Sequence, residues 1–257
     1  MKRSKFDGIK NFSFDDKFER ELQDHFIKNN LSALDILKNF PIYARRISLK
    51  KFLAHYELFR IIKDLPGDIV ELGVFQGRSL LTWGNFLEIF NMGDRQKQVF
   101  GFDNFSGFEF LSEKDGPKNK EFGKVKTGFN ASEDESVLRG AINLFDKDRF
   151  VPYKPRIKLI KGDICETLDK FVKENSGLRI SLLHFDCDLY NPTLYGLKML
   201  WPLVVNGGVV VFDEYGIRPW EGESNAVDEF FSGMPLKPEI RKFDWSPTPG
   251  GFCVKKT

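Results

Sequence analysis

Two short acidic runs hold the residues best suited to chemistry: Asp186 and Asp188 in FDCDLY, and Asp213 and Glu214 in FDEYG. Each run follows an apolar, β-branched-rich stretch, residues 180–185 and 209–212, and the segment between them has the apolar spacing of a helix. A strand, helix, strand unit with a right-handed crossover lays the two strands parallel and brings their acidic ends to one edge. In open α/β sheets that edge is where ligands bind. Carboxylates gathered there repel one another unless a proton or a cation lies between them, and a hard divalent ion suits their oxygen donors. The expected ion or substrate ligands are Asp186, Asp213 and Glu214. Asp188 is assigned instead to capping, because Asn191-Pro192 follows it as a helix-start signal.

A second set of candidates lies further upstream. Residues 68–79, DIVELGVFQGRS, read as strand, glycine turn and helix start. Gly73 and Gly77 let a ligand approach the backbone, and Ser79 falls at a helix N-terminus. The spacing is E-x-G-x-x-x-G, neither the dinucleotide fingerprint nor a P-loop, so an NAD-dependent oxidoreductase is disfavoured. Glu71 at the strand end suits a cofactor carrying positive charge. Asp103 ends the next strand, residues 98–103, where an acid accepts hydrogen bonds from both ribose hydroxyls of an adenosine. Asp163 follows a third strand, either as the cap of the next helix or as a contact to an adenine amino group.

These residues need a scaffold, and the chain supplies one large α/β domain with additions rather than two domains. Ahead of the first strand, Phe14, Phe18, Leu22 and Phe26 recur at helical spacing behind a basic tail, and Ser13 with Asp16 suits a capping box. A shorter helix over 32–39 and a longer one over 48–64 follow, the latter with Phe52, Leu53, Tyr56, Phe59 and Ile62 as one face. His25 and His55 on these helices read as surface or packing residues. The boundaries expected are 1–66 for the tail and helical extension, a lid or subunit contact, and 67–257 for the cofactor-binding domain. The polar segment 108–130 is too long for an ordinary connection and reads as an active-site loop. Extended pieces near 240–243 and 251–254 read as a closing hairpin.

The overall charge narrows the partners. With 39 basic and 37 acidic residues the formal net charge is +2, which disfavours a nucleic-acid binder acting through bulk electrostatics. Cys165, Cys187 and Cys253 are odd in number and widely spaced, so they suggest reduced core thiols and neither a disulfide framework nor a zinc site. No apolar run suits a signal peptide or membrane span, so a soluble cytoplasmic protein is expected, with no membrane partner and a homo-oligomer left open. The 27 phenylalanines read as core filling.

As a set, GDIVELGVFQGRSL at 67–80, GFDNFSGF at 101–108, DCDLYNPTLYGLKMLWPLVVNGG at 186–208, DEYG at 213–216 and NAVDEF at 225–230 resemble the macrocin O-methyltransferase family. These are metal-dependent sugar methyltransferases within the class I S-adenosylmethionine enzymes. The resemblance covers about residues 66–231. It implies a Rossmann-like, doubly wound, mostly parallel sheet of seven strands with a closing antiparallel hairpin. S-adenosylmethionine would lie over its first half, against Glu71, Gly73, Phe75, Gly77 and Ser79, then Asp103, Asn104 and Ser106, then Asp163 and Asp186. A divalent ion, magnesium or manganese, would sit at the ends of the fourth and fifth strands. The family pattern there is DDYG, so Glu214 is one methylene longer than the usual acid.

The implied reaction is metal-assisted methylation of a hydroxyl on a sugar, carried by a small molecule or a nucleotide. Asp186 is the expected ligand and proton acceptor combined, and His184 on the same strand is a second base candidate. A non-sugar diol or phenol is an alternative acceptor, and a cofactor-binding protein without catalysis is an alternative class. A nucleic-acid methyltransferase is disfavoured, because Asn191-Pro192-Thr193 only partly matches the N-P-P-[YF] motif that holds a flipped base.

Overall fold

The computed structural model describes residues 13–256. The basic tail expected over 1–12, and the side chains of the Ser13 and Asp16 pair, lie outside the described residues. Four helices come first: α1 (Ser13–Lys28), α2 (Ala33–Lys38), α3 (Phe40–Tyr43) and α4 (Arg46–Ile62). Strands and helices then alternate as β1 (Asp68–Leu72), α5 (Arg78–Phe90), β2 (Val99–Asp103), α6 (Glu135–Asp148), β3 (Ile157–Lys161) and α7 (Ile164–Glu174). The second half is β4 (Ile180–Phe185), α8 (Tyr190–Leu200), β5 (Val204–Phe212), α9 (Glu221–Ser232) and β6 (Gly251–Val254). Among the described residues no helix is long and apolar enough to cross a membrane.

The sheet order is β3-β2-β1-β4-β5-β6, with β6 antiparallel to β5 and the other neighbours parallel. Strand order reverses between β1 and β4, and the crevice beyond their carboxyl ends is the ligand position of such sheets. Period-two alternation divides the strand residues between two cores. Val70, Leu72, Leu183, Phe185, Val210 and Phe212 face α7, α8 and α9. Ile69, Leu182, Val209 and Val211 face α4, α5 and α6. Burial on both faces explains why β4 reads as an unbroken apolar run, with every residue of the strand buried.

Two expectations change here. The closing antiparallel hairpin is present, but its first arm is a single bridge, in which Arg241 and Phe252 exchange backbone hydrogen bonds of 2.8 Å, so the sheet has six strands among the described residues rather than seven. The prolines and turn residues around 237–249 leave no second pairing. The buried face of α4 is also rotated from the one expected. Ala54, His55, Leu58, Phe59 and Ile62 are buried, whereas Phe52 and Leu53 are exposed. Packing of His55 on Trp83 of α5, with ring centroids 4.5 Å apart, sets that rotation. Lys51, one turn before His55, is thereby carried to the carboxyl edge of β5.

Candidate active site

The site begins at the turn after β1. Gly73 has φ +90°, and a Cβ there would meet the carbonyl oxygen of Asp186 at 1.9 Å, so only glycine permits the β1 and β4 ends to come this close. The turn is held from the neighbouring strand by Asp103. One of its carboxylate oxygens accepts from the amides of Val74 and Phe75, each at 2.8 Å, and the other from the amide of Phe105 at 2.7 Å. Asp163 caps α7 through the amide of Cys165 at 2.7 Å and still borders the same space. Together these turns wall one end of a cavity of about 370 Å³.

The long segment between β2 and α6 roofs the cavity. Phe108 and Phe129 pack on Trp220 with ring centroids 6.0 and 5.7 Å apart, and Leu189 completes this small core. Two buried side chains fasten the roof. Lys124 binds Glu221 at 2.7 Å and the carbonyl of Pro219, and Asp115 accepts from the amide of Tyr190 at 2.6 Å. The predicted active-site loop is therefore an ordered cover.

At the other end of the cavity the acids meet. Asp186, Asp188 and Glu214 each offer an oxygen, and these lie within 4.8 Å of one another. Burial raises the carboxyls of all three, and their mutual repulsion, with Asp213 nearby, adds to it; Asp186 is pushed up to about 6. Asp213 sits deeper. Its Oδ2 accepts from Lys51 Nζ at 2.8 Å, and its Oδ1 lies 3.7 Å from His184 Nε2, too long for a hydrogen bond but close enough for charge attraction. Burial alone would raise Asp213, yet the Lys51 ammonium and His184 outweigh it and hold this carboxyl well below the usual carboxylate range. Burial likewise disfavours a charged Lys51, but Asp186, 3.6 Å away, and Asp213 keep it protonated.

The predicted residues divide accordingly. Gly73, Phe75, Ser79, Asp103, Asn104, Asp163, Asp186, Asp213 and Glu214 line the cavity. Glu71, expected to face the cofactor, is instead fully buried behind it. Its carboxylate accepts from Ser79 Oγ at 3.0 Å and Trp83 Nε1 at 2.9 Å, and contacts His184 Nδ1 at 3.2 Å. Glu71 and His184 are register partners on the sheet face that α4 and α5 cover, so neither reaches the cavity wall. Burial by itself would neutralise His184, but Asp213 and Glu71 push it up to about 10, which makes it a buried cation and a poor base. Gly77 turns toward Leu138 of α6, and Ser106 bonds Glu109 at 3.2 Å within the cover.

Sequence reasoning missed two members. Asp188 does not cap α8: with φ +62° it turns its carboxyl toward the cavity, and Asp115 from the cover takes the capping bond. The D-x-D spacing was the available signal. Lys51 carried none, because its partner Asp213 lies 162 residues away.

The donor set can be tested against a divalent ion. Asp186, Asp188 and Glu214 are three converging oxygen donors whose ionised forms burial and mutual repulsion disfavour unless a cation lies among them, which fits a hard ion such as magnesium or manganese; Asp213, the third ligand expected from the sequence, has its Oδ2 engaged by Lys51 instead. The longer Glu214 still reaches the group.

The family model for macrocin O-methyltransferases matches residues 47–248. Mycinamicin III 3''-O-methyltransferase of Micromonospora griseorubida is 24% identical over 210 residues, 80% of this chain and 78% of that protein. A crystal structure of a calicheamicin methyltransferase superposes with a TM-score of 0.87 at 24% identity, covering 96% of this chain and 94% of that one. An apo structure described as a TDP-rhamnose 3'-O-methyltransferase of calicheamicin biosynthesis gives a TM-score of 0.78 at 25% identity, with 96% of each chain covered. With most of its length matched, from α4 through the acid cluster to the segment before β6, the chain belongs to the macrocin O-methyltransferase family of S-adenosylmethionine-dependent O-methyltransferases.

Proposed function

We propose that the protein methylates a hydroxyl of a sugar, carried on a natural product or on a nucleotide, with help from a divalent ion. The observation that carries this reading is the convergence of Asp186, Asp188 and Glu214 beside the glycine turn, in one cavity. The neighbour described as a TDP-rhamnose 3'-O-methyltransferase supports the acceptor class.

In this reading the turn from Gly73 to Ser79, with Asp103, Asn104 and Asp163, holds the methyl donor. S-adenosylmethionine, when bound, supplies an electrophilic methyl group on a sulfonium. A divalent cation held by Asp186, Asp188 and Glu214 would supply Lewis acidity toward the acceptor hydroxyl. Asp186 and Asp188 border the cavity, and they are the candidate proton acceptors. The cover from Phe108 to Phe129, closed on Trp220, keeps water from the methyl group and orients donor and acceptor, which is where much of the acceleration of a displacement arises. Residues 67–257 are the donor-binding domain in this reading, and helix α4 ahead of it adds Lys51 to the site.

The test is methyl transfer to a panel of nucleotide sugars, including TDP-rhamnose, and of glycosides and catechols, each with and without chelator. Turnover on a sugar, lost in chelator and restored by magnesium or manganese, is the expected result. Turnover only on catechols removes the acceptor class, and full activity in chelator removes the metal.

A further inference from the structure

We infer that Lys51 is a catalytic residue, an ammonium group supplied by helix α4 that donates to the acceptor oxygen during methyl transfer. The inference rests on the sugar-methylating reading above and adds a residue to it. Lys51 borders the cavity although its side chain is only 18% exposed. An ammonium has three donor hydrogens. Asp213 takes one at 2.8 Å, and Asp186 at 3.6 Å is in ion-pair rather than hydrogen-bond range. Among the described residues no further hydrogen bond or ion pair of Lys51 is seen, and its side chain lines the cavity together with Asp186, Asp188 and Glu214.

That placement has a chemical consequence. When the acceptor attacks, an O–CH3 bond forms as the C–S bond breaks, and the C–S electron pair stays on sulfur as a neutral thioether. The hydroxyl proton passes to a carboxylate of the acid cluster. Negative charge grows on the acceptor oxygen before the new bond is complete, and a fixed cation there stabilises it without giving up its own proton. Asp213 fixes the ammonium, and the rigid helix α4, stacked on Trp83 through His55, fixes the stem. A simple counter-ion to Asp213 would not need to border the cavity.

Acceptor binding in the presence of S-adenosylhomocysteine and magnesium tests this without turnover. The wild-type product identifies the methylated hydroxyl, and calorimetry then compares that sugar with the analogue deoxy at the same position. In the wild type, loss of the hydroxyl should weaken binding on the order of 10- to 100-fold, part of it owed to Lys51. In Lys51→Met the penalty should shrink by roughly tenfold while S-adenosylhomocysteine binds as before, and Lys51→Arg should restore part of the penalty. If Lys51→Met does not fold, Lys51→Gln takes its place with the same expectation. An equal penalty in wild type and variant means that the ammonium serves only the carboxylates, and it overturns the inference while leaving the sugar reading intact. A wild type that methylates no sugar overturns that reading and this inference with it.

Discussion

Neighbouring carboxylates at the mouth of β4 and β5 are in opposite electrostatic positions. Asp213 is the shared counter-ion of Lys51 and His184; Asp213 and His184 are shielded from solvent, and Lys51 is partly exposed toward the cavity. Burial and the neighbouring Asp186 and Asp213 instead push the Asp188 carboxyl well up, disfavouring its charged form. Removing one partner of a buried ionic group is costly, so Asp213→Asn should lower stability by about 3 kcal/mol or more in chemical denaturation. Asp188→Asn should be neutral or stabilising in metal-free protein, since the amide replaces a buried carboxyl whose ionised form is disfavoured. Methyl transfer should respond differently, with Asp188→Asn losing on the order of 100-fold or more and keeping its affinity for S-adenosylhomocysteine. Equal stability losses in the two variants would contradict this division of roles.

At the scale of elements, the cover and helix α8 are built as one piece. The first turn of α8 has no capping side chain of its own, and Asp115 supplies it from a 3-10 turn of the cover. The other Asp115 oxygen is taken by the amide and hydroxyl of Ser112 at 2.6 and 2.7 Å. Gly222 of α9 makes room, because a Cβ there would come within 2.2 Å of Asp115 Oδ1. Asp115→Ala should therefore cost about 2 kcal/mol. Hydrogen exchange should rise both at residues 190–193 and across the cover, residues 105–131. Faster exchange in the cover alone would mean that α8 does not depend on it. Because α8 begins two residues after Asp188, the variant should also weaken the divalent-ion site.

Over the whole molecule, the helical extension is joined to the sheet by more than apolar packing. Lys97, just before β2, is buried and donates to the carbonyls of Ile62 and Leu65 at 3.1 and 3.0 Å, tying the end of α4 to the domain. Burial brings its ammonium down to about 8 from an ordinary 10.5. Between those values the unfolded chain binds more protons than the folded one, so this group's contribution to stability rises with pH from about 8 to 10.5 and is lost as pH falls back through 8. Other groups titrate in the same window. The difference between wild type and Lys97→Met isolates the term, and the gain with pH should be smaller in the variant. Parallel stability curves across that window would show that Lys97 is not desolvated in the folded protein.

What could be read from residues alone was whatever depends on neighbours in the chain. Alternation and glycine placement located β1, β2, β4 and β5, and a strand's last residue lies at the ligand-binding edge whatever covers its faces, so Asp103, Asp186 and Glu214 were legible. The same alternation puts Glu71 and His184 on a common face but is silent on what lies over it. Only the packing of α4 and α5 made that face a dry core, and so took both residues out of the cavity. The capping of α8 was decided in the same way, by an acid 75 residues upstream that left Asp188 to the site. Lys51 is the extreme case. Its placement depends on a contact across 162 residues and on which face of α4 is buried, where His55 packs on Trp83, and the apolar pattern of α4 does not fix that face.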